Sequence, residues 1–186
     1  MTVPKVSAEH SEARRAEILD GARRAFSRWG YEGATVARLE SETGLSRGAI
    51  FHYFGSKLDL FVALSIEENH RYISLIVERG FDDALRSMAG ESPEWLGMLL
   101  EIQGRLRHDP TFVEKMESRL DDRERILSWL QDAQARGELR SDVEAIELGR
   151  FATMVLNGLA LRVAGEDPVD VESVIALLHD ALDPRT

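Results

Sequence analysis

The sequence contains no cysteine, and this excludes a disulfide framework and any thiolate metal site. Prolines number only five, too few for an extended linker or a proline-rich tract. Long apolar runs are missing as well. The longest, Phe151 to Leu161, is interrupted by Thr153 and Asn157 and is too short to span a bilayer. The N-terminus, MTVPKVSAEHSEARRAE, lacks the apolar core of a signal peptide, so a cytoplasmic protein with no membrane partner is expected. Neither a glycine-rich phosphate loop nor a nucleophile motif is present. His108-Asp109 and His179-Asp180 are sequence neighbours, and adjacent helical side chains do not face each other. Glu67, Glu68 and His70 read as a solvated helix face rather than a metal site. The expectation is a non-enzyme with no catalytic residue, metal or cofactor.

What remains is an ordinary soluble composition, 44% hydrophobic and 30% charged, over 186 residues. The charge is unevenly sorted. The formal net charge is -10, yet residues 1–57 hold nine Lys/Arg and seven Asp/Glu, a balance of +2. A mildly basic head on an acidic body suggests that the head meets a polyanion.

Helix signals run throughout, with no convincing strand. Ile18, Ala22, Ala25, Phe26 and Trp29 recur at helical spacing, and Gly30 and Gly33 bracket that helix's end. Thr35 stands where an N-cap belongs, with Val36 and Leu39 on the inner face of a short second helix. Gly44 closes it, Ser46 caps a third helix carrying Arg47, Ile50 and Phe51, and Ser56 caps a long fourth. Beyond Gly80, punctuation predicts a short helix near 82–89 and longer ones over 93–107, 111–135, 142–164 and 169–182.

Two short helices joined by Thr43-Gly44-Leu45 form a helix-turn-helix, a geometry found both in DNA-binding proteins and in proteins that never touch DNA. Its second helix would lie in the major groove. Ser46, Arg47, Gly48, His52 and Tyr53 are left for its outer face and ends. Arg47 suits the two acceptors of guanine, and Gly48 permits close backbone approach. Thr35, Tyr53 and Lys57 lie at helix ends that can grip phosphate.

The run ILDGARRAFSRWGYEGATVARLESETGLSRGAIFHYFGSKLDLFVAL, residues 18–64, closely resembles the N-terminal domain of TetR-family transcription regulators. Phe26, Gly30-Tyr31, Thr35, Leu39, Gly44, Ser46, Phe51, Phe54, Lys57 and Leu60 carry the match, with Leu39 where the family favours Ile and Phe51 where it usually has Tyr. The resemblance implies an all-α chain. A three-helix helix-turn-helix DNA-binding domain would occupy residues 1–57, and a helical ligand-binding and dimerisation domain 58–186. It implies DNA contacts at Thr35, Arg47, Gly48, His52, Tyr53 and Lys57. A narrower similarity, in RGAIFH at 47–52 and LEIQGRLRHDPTF at 100–112, is to the actinobacterial aconitase-repressor branch, which responds to a citrate–magnesium complex. His179 stands where that branch would carry an acidic ligand residue, so the ligand does not carry over.

The function expected is a one-component repressor that binds a near-palindromic operator as a homodimer and answers to a small-molecule effector. The alternative is a DNA-binding structural or interaction protein without an effector. A closed apolar cavity in the body favours the first and a fully packed body the second. The last two helices, residues 145–182, would pair with those of a second copy. The family places its pocket among the middle helices, where Trp95, Met98, Glu101 and Arg105 share one side of a helix and Trp129 follows on the next. These five are the candidate ligand-binding residues, and the alternative is that they are core residues, with Glu101 and Arg105 an exposed i,i+4 pair.

Overall fold

A computed structural model describes residues 5–117 and 122–184, excepting the side chains of residues 5–9 and 117. Ten helices and no strand occur among the described residues: α1 (Lys5–Gly33), α2 (Val36–Thr43), α3 (Arg47–Phe54), α4 (Lys57–Arg79), α5 (Phe81–Ala89), α6 (Pro93–His108), α7 (Pro110–Glu117), α8 (Asp122–Ala135), α9 (Ala145–Ala164) and α10 (Val171–Leu182). The chain divides into two compact units. One is Met1–Glu67 with Glu101–Ser118, and the other is Glu68–Leu100 with Arg119–Thr186. Helices α4 and α6 therefore contribute residues to both.

The first unit is built around aromatic side chains. Phe26, Phe61 and Phe112 are fully buried, together with Ile18, Leu39, Ile50 and Leu60. Fully burying one such side chain stabilises the fold by roughly 1.5–3 kcal/mol. Phe61 meets Phe26 at 5.0 Å and Tyr31 at 4.9 Å edge-on, and Phe112 at 5.8 Å with a tilted ring. The periodicity of α1 thus supplies one wall, and α4 and α7 the others. Four helices of this unit start on a side-chain acceptor. Thr35 accepts from Arg38 N, Ser46 from Ala49 N at 3.3 Å, Ser56 from Asp59 N at 3.1 Å and Asp109 from Phe112 N at 3.0 Å. Gly44, with φ 69, ends α2 in the left-handed region that a side chain would resist.

The second unit packs α5 against α9 and α10, and α8 against α9. Its interior holds Phe81, Leu85, Met88, Leu96, Leu130, Leu148, Leu159, Ile175 and Leu178. A buried polar group accompanies them. Glu68 accepts two bonds from Arg71 at 3.0 and 2.9 Å, and Arg71 also reaches Glu91 at 2.6 Å. Burial, the largest single influence, would lower the pKa of Arg71, but the charge of Glu68 and the hydrogen bonds to Glu91 and Glu68 together outweigh it and hold the guanidinium more firmly protonated than usual.

The helices expected near 82–89, 93–107, 142–164 and 169–182 are present with small boundary shifts. The single helix expected over 111–135 is described as α7 and α8, and residues 118–121 lie outside the described chain. The apolar run at 151–161 is expected to be covered on more than one side. Within one chain Ala152 and Leu159 are buried, whereas Met154 is 64% and Leu161 59% exposed.

Candidate nucleic-acid interface

Helix α3 is held from inside by apolar contacts and left open outside. Ile50 and Phe54 are buried, while Ser46, Arg47, Gly48 and His52 are exposed and Tyr53 half-buried. These faces follow from the helical period. The turn before α3 is tied by its own side chains, since Thr43 Oγ1 donates to Leu39 O at 2.8 Å and accepts from Leu45 N at 3.2 Å. Behind it, Arg24 of α1 donates to the main-chain oxygen of Glu42 at 2.7 Å and pairs with the Glu42 and Asp20 carboxylates.

The cations of this unit are mostly committed. Arg14 pairs with Glu17, Arg15 lies over the Phe54 ring at 4.4 Å, and Arg28 lies over Trp29 at 5.0 Å. Arg38 donates to Gly33 O at 2.7 Å and also covers Trp29. Lys57 donates to Tyr31 O at 2.8 Å and sits over the Tyr31 ring at 4.4 Å. The guanidinium of Arg47 differs. It makes no hydrogen bond or ion pair with any described residue, and only its main-chain N–H is engaged, by Glu40 at 2.6 Å. A Cβ added to Gly48 would meet nothing within 4 Å. Beside it, the His52 ring stands edge-on to Tyr53 at 5.4 Å. The exposed part of α3 is thus a narrow strip with a free planar cation, a backbone open to close approach and an imidazole. That is the chemistry that reads base edges and grips phosphate.

Comparison with known proteins agrees with this geometry. Residues 18–64 match the model of bacterial regulatory proteins, tetR family. The HTH-type transcriptional repressor Rv1474c of Mycobacterium tuberculosis is 39% identical over 184 residues, covering 97% of this chain and 98% of that protein. The chain belongs to the tetR family. A second relative, the HTH-type transcriptional repressor AcnR of Corynebacterium efficiens, is 44% identical over 175 residues, covering 90% of this chain and 92% of that protein. The solved structure of Salmonella enterica GusR superposes with a TM-score of 0.73 at 20% identity, over 91% of this chain and 95% of that one, which speaks for the fold. As a tetR-family protein the chain is a DNA-binding transcription regulator rather than an enzyme.

The five residues expected around a ligand are divided between the two units of this tetR-family chain. Trp95 and Met98 are each 2% exposed, inside the second unit. Trp129 meets Phe81 edge-on at 5.6 Å. Glu101 and Arg105 belong to the first unit, where their polar groups are taken. Glu101 accepts from Tyr31 N at 2.8 Å, and Arg105 pairs with Glu32 at 2.8 Å and Asp109 at 3.0 Å while lying 3.6 Å over the Tyr31 ring. A cleft of about 380 Å³ opens elsewhere in the second unit, lined in part by Arg79, Phe81, Asp82, His179 and Asp180. His179 Nε2 lies 2.8 Å from Asp82 on its wall.

Glu67, Glu68 and His70 do not converge. Glu68 serves Arg71, and His70 Nδ1 lies 3.0 Å from Asp122. No cluster able to hold a metal ion occurs among the described residues. No single described helix is long and apolar enough to cross a membrane.

Proposed function

We propose that the protein is a homodimeric, effector-responsive transcriptional repressor that acts in the cytoplasm. It binds a near-palindromic operator by laying α3 of each subunit in the major groove. The observation that carries this reading is the free guanidinium of Arg47 on the first turn of α3, in a unit whose other cations mostly have partners. Arg47 makes the specific base contact, with Gly48 and His52 beside it on the exposed face and Thr35, Ser46, Tyr53 and Lys57 near the phosphates. The repressor sense is taken from the names of the relatives.

Dimerisation is supported by α9 and α10, where Met154, Leu161 and Leu177 are exposed by 64%, 59% and 69%. Apolar side chains this open on two successive helices support an interaction surface there. A two-fold dimer supplies the paired reading helices that a palindromic site needs.

The effector site is proposed in the second unit. Its open cleft carries charges of both signs beside Phe81, with Trp129 packed behind. That lining suits a polar, charged small molecule. Trp95 and Met98 form the apolar interior of the same unit. Glu101 and Arg105 lie further along the helix that carries them, in the first unit.

Selection from random duplexes tests the reading. The wild-type chain should recover a near-palindrome. Arg47→Ala should weaken binding to it by about 1–3 kcal/mol and relax choice at one base pair per half-site. Identical selections by the two proteins would overturn the assignment of α3.

A further inference from the structure

Helix α3 begins with a charge of the unexpected sign. Glu40, in the second turn of α2, places Oε1 2.6 Å from the main-chain N–H of Arg47, the first residue of α3. No cation pairs with this carboxylate among the described residues, so the N-terminus of α3 is its partner there. Ser46 Oγ satisfies a second N–H, that of Ala49. A surface meant to meet a polyanion gains nothing electrostatic from a carboxylate at this point. The start of a helix carries a partial positive charge and donor groups that attract any phosphate. A neutral acceptor would also satisfy the Arg47 N–H, with a weaker bond. The charge of Glu40 therefore has an effect beyond capping.

We infer that Glu40 is a specificity-determining residue of the reading head. Its carboxylate fixes the first turn of α3 through the Arg47 amide. It also cancels the positive end of that helix, so that backbone phosphate alone holds this surface weakly. Phosphate contact is sequence-independent and supplies nearly all non-specific affinity. A negative group inside the contact lowers affinity for every sequence. On operator the same carboxylate, by holding the first turn of α3 that presents Arg47, strengthens a base contact and offsets the loss, whereas other DNA gains nothing from that turn. Glu40 thus widens the ratio between operator and background. The inference rests on the reading that α3 enters the major groove.

The test uses the full-length protein, the duplex recovered by selection and an unrelated duplex of the same length. Glu40→Gln keeps an oxygen that can accept from Arg47 N and removes the charge. Non-specific affinity should rise on the order of two- to fivefold. The salt slope on the unrelated duplex should steepen by up to about 0.9, the value of one phosphate contact. The operator-to-background ratio should fall. Glu40→Ala also loses the cap, so operator affinity should drop while non-specific affinity still rises. Glu40→Asp, which keeps the charge, should restore the ratio toward wild type. If Glu40→Gln leaves both slope and ratio at wild-type values, or if Gln and Ala weaken both duplexes in parallel, Glu40 is structural only and the inference is overturned. Arg47→Ala separates the two levels. Unchanged selection by that variant removes the reading of α3 itself. Relaxed selection by Arg47→Ala with an unaltered Glu40→Gln ratio removes only the role of Glu40.

Discussion

Glu101 and Tyr31 are seventy positions apart in sequence, yet the Glu101 carboxylate accepts the Tyr31 main-chain N–H at 2.8 Å. The next peptide is gripped as well, where Tyr31 O accepts from Lys57 Nζ at 2.8 Å. The ring is covered by Arg105 at 3.6 Å and by Lys57 at 4.4 Å. Helices α4 and α6 thus both act on the last turn of α1. Gly30 makes room for this arrangement. It has φ 65, and a Cβ there would come within 2.7 Å of Glu101 Oε1. A charge-assisted bond to a backbone amide contributes about 1.5–3 kcal/mol when shielded, and the exposure of Glu101 reduces this toward about 1 kcal/mol. Glu101→Ala should destabilise the protein by about that amount and speed hydrogen exchange at the Tyr31 amide, whereas Glu101→Gln should retain most of the protection. Unaltered exchange at Tyr31 in the alanine variant would show that the bond does not hold in solution.

Lys57 joins two roles that can be separated. Its ammonium spends donors on Tyr31 O at 2.8 Å and Glu32 O at 3.5 Å, and the proposed phosphate contact needs another. Lys57→Ala should weaken operator and unrelated DNA about equally and make the salt slope shallower by about 0.9. It should also lower stability through the lost grip on α1. A stability loss with an unchanged slope would leave Lys57 as a structural clamp and remove it from the DNA contacts.

Much of the reading head was legible because its signals are local. Thr35, Ser46 and Ser56 stand three residues before the amides they cap, and Gly44 occupies a left-handed position that few residues tolerate. The exposed face of α3 followed from period alone. Glu40 was not legible, since its reach to Arg47 depends on how α2 is angled against α3. Glu101 and Arg105 share a side of α6 with Trp95 and Met98, and spacing suggested one common lining. The helix is sixteen residues long, and its two halves meet different surroundings that no spacing reports. The apolar run in α9 is expected to be covered on more than one side, yet Met154 and Leu161 stay open in one chain, and what covers them is not encoded in the period.

Alkaline pH provides a test of the second unit's interior. Burial pushes the Tyr72 phenol up from 10.0 to about 12, against the opposing effect of Arg71, whose guanidinium lies over the ring at 4.4 Å. Its hydroxyl is buried, with no hydrogen-bond partner among the described residues. Below pH 10 the phenol is protonated in both folded and unfolded chains, and its contribution is complete. Between about pH 10 and 12 the unfolded chain releases the proton and the folded chain keeps it, so stability falls by up to about 1.4 kcal/mol per pH unit. Burial raises Tyr31 too, which adds in the same direction. Tyr72→Phe should flatten this decline in urea denaturation measured across the window. An equally steep decline in the variant would place the titration elsewhere.

The proposed dimer surface can be probed at a position where the single chain offers no resistance. Gly158 is exposed on α9, and a Cβ built there meets nothing within 4 Å. Gly158→Trp should therefore leave the fold of one chain intact, because the indole points into free space. Against a second copy it would hold the helices apart, and overpacking of a tight contact costs about 1–3 kcal/mol. Leu161→Asp approaches the same surface by a different route, placing a charge on a side chain that is 59% exposed in one chain. If α9 and α10 meet a partner, the aspartate is desolvated on assembly and opposes it. Both variants should keep wild-type helicity and thermal unfolding of the monomer, and both should sediment as monomers at concentrations where the wild type is dimeric. Operator affinity should drop with them, since one reading head alone contacts only a half-site. Wild-type protein that is monomeric at micromolar concentration while binding its operator in full would refute the arrangement.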